Sequence, residues 1–245
     1  MVRAARCEAF SLWLGTCLVL LSGCGTSRSA ELRSWSLNGV PPEKQEAVRQ
    51  AEKERQQLSA KKDRAHGALQ ETKRELDLAH REVEAAELRK DAQEKLLEAE
   101  KLTGQPASVQ QVEAQLRAAD RALEVAQARV RWRQVKVDAA VALRECHDKE
   151  LQHADAELDY ARYRVLKESG DTRVHAYTDE EFVSKSSDAK SEADDACRES
   201  AARTKDEREA LAQWEELRGP LQARGGLVSP PVGASGTPQL RGPAR

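Results

Sequence analysis

Residues 109–168 read VQQVEAQLRAADRALEVAQARVRWRQVKVDAAVALRECHDKELQHADAELDYARYRVLKE, a stretch without glycine or proline. Apolar side chains recur in it every seven positions, at Val109, Leu116, Leu123, Val130, Val137, Leu151, Leu158 and Val165, with Arg144 out of line. Val112, Ala119, Ala126, Ala140, Ala154 and Ala161 fill the alternate seam position, which Arg133 and His147 break. A heptad repeat held this long marks a coiled-coil helix. A second apolar line runs through Val125, Trp132, Ala139, Cys146 and Tyr160, with Ala128, Val135, Ala142, Ala156 and Tyr163 beside it. At about 100° per residue it falls on nearly the opposite face of the same helix. A helix with two apolar seams and charged flanks needs a partner on each side, so the other helices are expected to pack against this one.

Upstream, a weaker seam runs through Val48, Ala51, Leu58, Ala65, Leu69, Leu76, Ala79, Val83, Ala86 and Leu97, with Arg55, Lys62 and Lys90 intruding on it. Gly67 weakens that helix by about 1 kcal/mol relative to alanine. Pro41-Pro42 suits its first turn and Thr103-Gly104-Gln105-Pro106 its end, giving a first helix over about 41–102. Ser108 with Gln111 offers a capping box for the second helix, 109–168. So short a connection folds the chain back on itself, which makes an antiparallel hairpin about 90 Å long at about 1.5 Å per residue.

Glu168-Ser169-Gly170 closes the second helix, and Thr178 with Glu181 forms a capping box for a third, 179–218. Its stripe of Phe182, Ala189, Ala193, Ala196, Cys197, Ala201, Leu211 and Trp214 is mostly small. Gly219-Pro220 marks its end. Residues 219–245 carry Pro, Gly and Ser, with Arg224, Arg241 and Arg245 and no acid, the composition of a disordered tail. The expected fold is all-α: a long antiparallel coiled-coil hairpin, a shorter third helix and a disordered C-terminal tail, the helices together forming one domain over 41–218.

Composition agrees with this. Aromatic residues make up 4% of the chain and charged residues 33%, which suits long helices burying narrow stripes better than a thick core. The formal charge is −2; residues 1–23 contribute Arg3, Arg6 and Glu8, a net +1, so removing them leaves −3. Nothing in that balance favours nucleic acid as a partner.

Arg3 and Arg6 precede the apolar run 9–21, AFSLWLGTCLVLL. It is too short to span a hydrocarbon core of about 30 Å but right for a signal-peptide core. Leu21-Ser22-Gly23-Cys24 follows, and resembles the lipobox of bacterial lipoproteins: an aliphatic residue, two small ones and the invariant cysteine. The resemblance covers only this N-terminal region. It implies that residues 1–23 are a signal peptide cut before Cys24, that the Cys24 thiol receives a diacylglyceryl group, and that the new amine is acylated. Two or more acyl chains hold a protein stably to a bilayer where one does so marginally. Gly25 after the cysteine resembles the outer-membrane sorting signal of enterobacterial members, so the implied address is the outer membrane facing the periplasm. Residues 24–40 then form the lipidated cysteine and a flexible tether.

Chemical motifs are scarce. His147 and His153 are six positions apart and not the four that put two ligands on one helix face, and no Cys-x-x-Cys pair is present, so no metal site is expected. Cys146 and His147 point about 100° apart on a helix and do not make a thiolate pair by themselves. Asp171, Asp179, Glu180 and Glu181 lack the pattern of a calcium loop and read as turn and helix-N-terminal charges. No phosphate loop is found, and no catalytic residue or cofactor site is expected.

Cys7 and Cys17 leave with the signal peptide and Cys24 is acylated, which leaves Cys146 and Cys197 in a compartment where disulfides persist. Their midpoint falls between Asp171 and Thr172, inside the second turn. Residues equidistant from the turn of an antiparallel pair lie side by side, so a Cys146–Cys197 disulfide is expected between the second and third helices.

The expected function is that of a lipid-anchored envelope coiled-coil protein, structural or protein-binding. The alternative is an adaptor for one envelope enzyme, channel or efflux machine. The hairpin resembles in shape those of periplasmic efflux adaptors, though the β-rich domains that flank such hairpins are missing. Expected partners are the membrane and envelope proteins, and a third helix shorter than the second leaves seam for a second copy of the chain, a homo-oligomer.

Overall fold

A computed structural model describes Leu37 and residues 40–223. The signal peptide, Cys24, most of the tether and residues 224–245 of the expected tail lie outside the described residues. Helix α1 spans Glu46–Thr103, α2 spans Pro106–Glu168, a 3₁₀ turn covers Thr172–Ala176, and α3 spans Asp179–Ala223. The described residues contain no strand. At about 1.5 Å per residue α1 is ~87 Å long and α3 ~68 Å.

The two apolar seams of α2 govern the arrangement. Helices α1 and α3 each pack along α2 and do not pack against each other. On the α1 side Val112, Val137, Ala154, Leu158 and Val165 are buried; on the α3 side Ala128, Trp132, Ala142, Cys146, Ala156 and Tyr163 are buried. Arg144, the residue out of heptad line, is exposed.

The basic residues that break the seams set the register. Arg55 Nε lies 2.5 Å from the Asp155 carboxylate, Lys62 Nζ 2.5 Å from Asp148 and Lys90 Nζ 2.9 Å from Asp120. Each pair is symmetric about Gln105 in the first turn. Arg133 pairs in the same way with Glu75 across α1 and α2. Most of these groups are partly exposed, so each contributes modestly, but a shift in register would separate all of them together.

The helix ends differ in places from the expected ones. Pro41-Pro42 heads a turn that precedes α1: the Lys44 and Gln45 amides donate to the Pro41 and Pro42 carbonyls at 3.0 and 3.2 Å. The chain enters α1 through this turn, and the helix begins at Glu46. Helix α2 begins at Pro106, with Gln105 rather than Ser108 as its cap. The Ser108 hydroxyl donates instead to the Glu100 carboxylate at 2.7 Å, and the expected box with Gln111 does not form. Gly104 ends α1 at φ 71°, a left-handed conformation that glycine adopts without a Cβ penalty. Helix α3 continues through Gly219 and Pro220 to Ala223. Pro220 has no N–H for the Glu216 carbonyl, and the helix runs only three residues beyond it.

The second turn matches its sequence signals. The Thr178 amide donates to the Glu181 carboxylate at 3.2 Å and the Glu181 amide to the Thr178 hydroxyl at 3.3 Å, the reciprocal capping box. The Asp171 carboxylate accepts the Arg173 amide at 2.9 Å. Its hydrogen bonds from the Arg173 guanidinium hold its pKa down to about 2. The largest side-chain clusters gather at this end, the base of the rod. One joins Tyr163, Leu166, Val174 and Phe182; the other joins Val40, Val48, Leu158 and Val165, and Leu37 packs on both.

Candidate functional site

The face between α2 and α3 holds most of the chemistry in the described residues. Among the helices α3 packs only on α2, through a stripe at spacings of three or four with one gap of seven: Phe182, Ser186, Ala189, Ala193, Cys197, Ser200, Thr204, Leu211 and Trp214, all buried or half-buried. Ala201, expected on this stripe, is exposed; Ser186 and Ser200 are buried in the stripe instead. Small polar residues serve a close helix contact as well as alanine, which a search for apolar residues overlooks.

Three anchors hold this small-residue stripe. At the base, Phe182 stacks on Tyr163 with ring centroids 4.6 Å apart and lies near Tyr160 and Tyr177. Toward the far end, Trp214 stacks on Trp132 at 4.8 Å with planes 12° apart. Such aromatic pairs contribute about 1 kcal/mol beyond the area they bury. Between them Cys146 and Cys197 are joined in a disulfide with Cα atoms 4.6 Å apart, at the height given by symmetry about the second turn.

All three helices contribute around the tryptophan pair. The Trp132 Nε1–H donates to Glu207 of α3 at 2.9 Å, and the Arg133 guanidinium lies 4.1 Å from the Trp132 ring centroid. Glu75 of α1 accepts from Arg133 and, at 2.9 Å, from Lys136. Burial pushes the Arg133 guanidinium below its ordinary pKa, and Glu75 opposes that shift. With the Arg133 and Lys136 charges answered by Glu75 of α1 and the Trp132 Nε1–H by Glu207 of α3, this cluster acts as a brace across the rod.

Asp159, fully buried on α2, accepts from Lys185 Nζ of α3 at 3.0 Å. Neither residue stood out in the sequence, although they are nearly symmetric about the second turn. Asp159 is fully buried whereas Lys185 is 45% exposed, so losing this charge-assisted bond in Lys185→Met is expected to destabilise by about 1.5 kcal/mol. Chemical denaturation checks this, with Lys185→Arg as the milder control.

His147 and His153 each face their own acid, with His147 Nδ1 2.7 Å from Glu150 and His153 Nε2 3.6 Å from Glu157. The divergence of Cys146 and His147 on the helix does not keep their tips apart. Cys146 Sγ, a ring nitrogen of His147 and a carboxylate oxygen of Glu150 lie within 4.8 Å of one another, with the sulfur committed to the disulfide. Of the acids at the second turn, Asp171 engages Arg173, Asp179 engages Lys167, and Glu181 caps α3.

No helix among the described residues is long and apolar enough to cross a membrane. No family model matches the chain, and no curated protein or solved structure is significantly similar to it.

Proposed function

We propose that the chain is a lipid-anchored coiled-coil rod of the bacterial cell envelope, without catalytic activity, that spans distance and presents helix surfaces to other proteins. The observation that carries this reading is where the start of the folded chain packs. Leu37 and Val40, 13 and 16 residues after Cys24, sit in the base clusters. An acylated Cys24 would therefore tether the base within about 45 Å of a bilayer, at ~3.4 Å per extended residue. The tip at Gly104 would then point away from the base by about another 90 Å. With Gly25 following the cysteine, the outer membrane facing the periplasm is the proposed address.

Cys24→Ala is expected to accumulate as an unprocessed precursor, because no other residue offers the thioether site. Gel mobility and metabolic fatty-acid labelling check this. Normal cutting and release of a soluble protein would refute the anchor.

A second reading, an adaptor for one envelope enzyme, channel or efflux machine, draws on roughly the outer quarter of the hairpin. It extends past the end of α3, and Leu96 and Leu102 there are 41% and 90% exposed. Crosslinking from membranes separates the two: one stoichiometric partner favours the adaptor, whereas many neighbours or only self-crosslinks favour the structural rod.

A further inference from the structure

The residues around the disulfide have a second use once it is opened. Cys146, His147 and Glu150 lie on one turn of α2 with a sulfur, a nitrogen and an oxygen within 4.8 Å of one another, and Cys197 reaches the same point from α3. Reduction turns the two sulfurs into thiols. The place then offers two sulfur donors, one imidazole nitrogen and one carboxylate oxygen, a set suited to a four-coordinate, borderline-soft cation of the zinc class. We propose that the reduced protein binds one such divalent cation through Cys146, His147, Glu150 and Cys197. The cation then replaces the disulfide as the cross-link between α2 and α3.

Burial and geometry support this. Cys146 is buried and the other three residues are half-buried, so the site is shielded without being sealed. Donor atoms around tetrahedral zinc lie about 3.5 Å apart, given metal–ligand distances of about 2.0–2.3 Å. The spread of up to 4.8 Å among the three α2 donors thus needs shifts of only about 1 Å, within the reach of side-chain rotation, and the Cys197 sulfur moves off Cys146 once the bond between them is reduced. In the oxidised state the His147–Glu150 contact at 2.7 Å keeps these two donors beside the sulfurs. Three donors come from α2 and one from α3, so the cation fixes α3 at the height where the disulfide did.

The chemistry balances with a phosphine as reductant. The phosphine is oxidised by two electrons to its oxide, water supplies the oxygen and both protons, and the S–S bond becomes two thiols. Binding of the cation then releases the two thiol protons to the buffer, since the thiolate is the ligand.

Cobalt(II) serves as the probe, in the full chain carrying Cys7→Ser, Cys17→Ser and Cys24→Ser so that the result does not depend on lipidation. After phosphine reduction, one equivalent of cobalt is expected to give thiolate-to-metal charge transfer and tetrahedral d–d bands, which zinc abolishes by displacement. The oxidised chain is expected to give neither. His147→Ala and Glu150→Gln are each expected to weaken zinc binding at least about tenfold in chelator competition, Cys197→Ser to lower the charge-transfer intensity per bound cobalt by about half, and Cys146→Ser with Cys197→Ser to remove it. Circular dichroism of the reduced variants checks that the helices persist. A reduced, helical chain without charge transfer would overturn the proposal. So would affinity unchanged when His147 and Glu150 are replaced together.

Discussion

Cys197→Ser is expected to destabilise α3 by about 4 kcal/mol while leaving the α1–α2 hairpin folded. The cysteines are 51 positions apart, and the chain-entropy model assigns a loop of that size about 4 kcal/mol. The loss falls on α3 because that helix packs on α2 alone and, between Phe182 and Trp214, meets it mainly through Ala, Ser and Thr. Such side chains bury little apolar area, at about 25 cal/mol per Å², so the clamp makes up a large part of what holds the middle of the helix. Hydrogen exchange should show α3 amides exchanging about a thousandfold faster, with α1 and the α1-facing side of α2 little changed. The fluorescence of the Trp132–Trp214 pair should change in the same transition. Uniform loss of protection along all three helices would show that α3 is not a separate unit.

The second large effect is expected at the opposite seam. Leu158 is 4% exposed, packed with Val40, Val48 and Val165 in the base cluster. Leu158→Asp removes a buried leucine and introduces a carboxylate with no partner, at a cost of about 4 kcal/mol or more. Arg144→Asp, at an exposed position on the same helix, should stay within about 0.5 kcal/mol. Leu123→Asp should fall between them, because Leu123 is only half-buried and the rod can splay there. Urea denaturation of the three variants orders them. Equal effects at Leu158 and Arg144 would contradict the assignment of the seams.

These two predictions rest on features that were legible in the sequence to different degrees. The double seam of α2 was fully legible, because a heptad and its opposite face repeat for the length of the helix and the small-residue positions repeat with them. The height of Cys146 against Cys197 followed from symmetry about the second turn. The same symmetry about Gln105 would have matched Arg55 with Asp155, Lys62 with Asp148 and Lys90 with Asp120, yet periodicity counts these basic residues only as flaws in a seam. Periodicity reads one helix at a time, whereas an ion pair across a hairpin is a relation between two. The start of α1 is not legible because Pro41-Pro42 suits a turn ahead of a helix as well as a helix's first turn. Ser186 and Ser200 were missed because a hydroxyl counts as polar even where its size suits a close contact. The nearness of Cys146, His147 and Glu150 depends on side-chain length and rotamer, which helical angles alone do not supply.

The central claim is that α2 is a spine with α3 locked along one face through Cys146 and Cys197. Alkylation of the unreduced, purified mature protein, followed by its intact mass and peptide mapping, tests it most directly. The account predicts a monomer with no alkylated thiol and a single bridge joining the peptides that contain Cys146 and Cys197. Two alkylated thiols, or a covalent dimer in place of the bridged monomer, would contradict it.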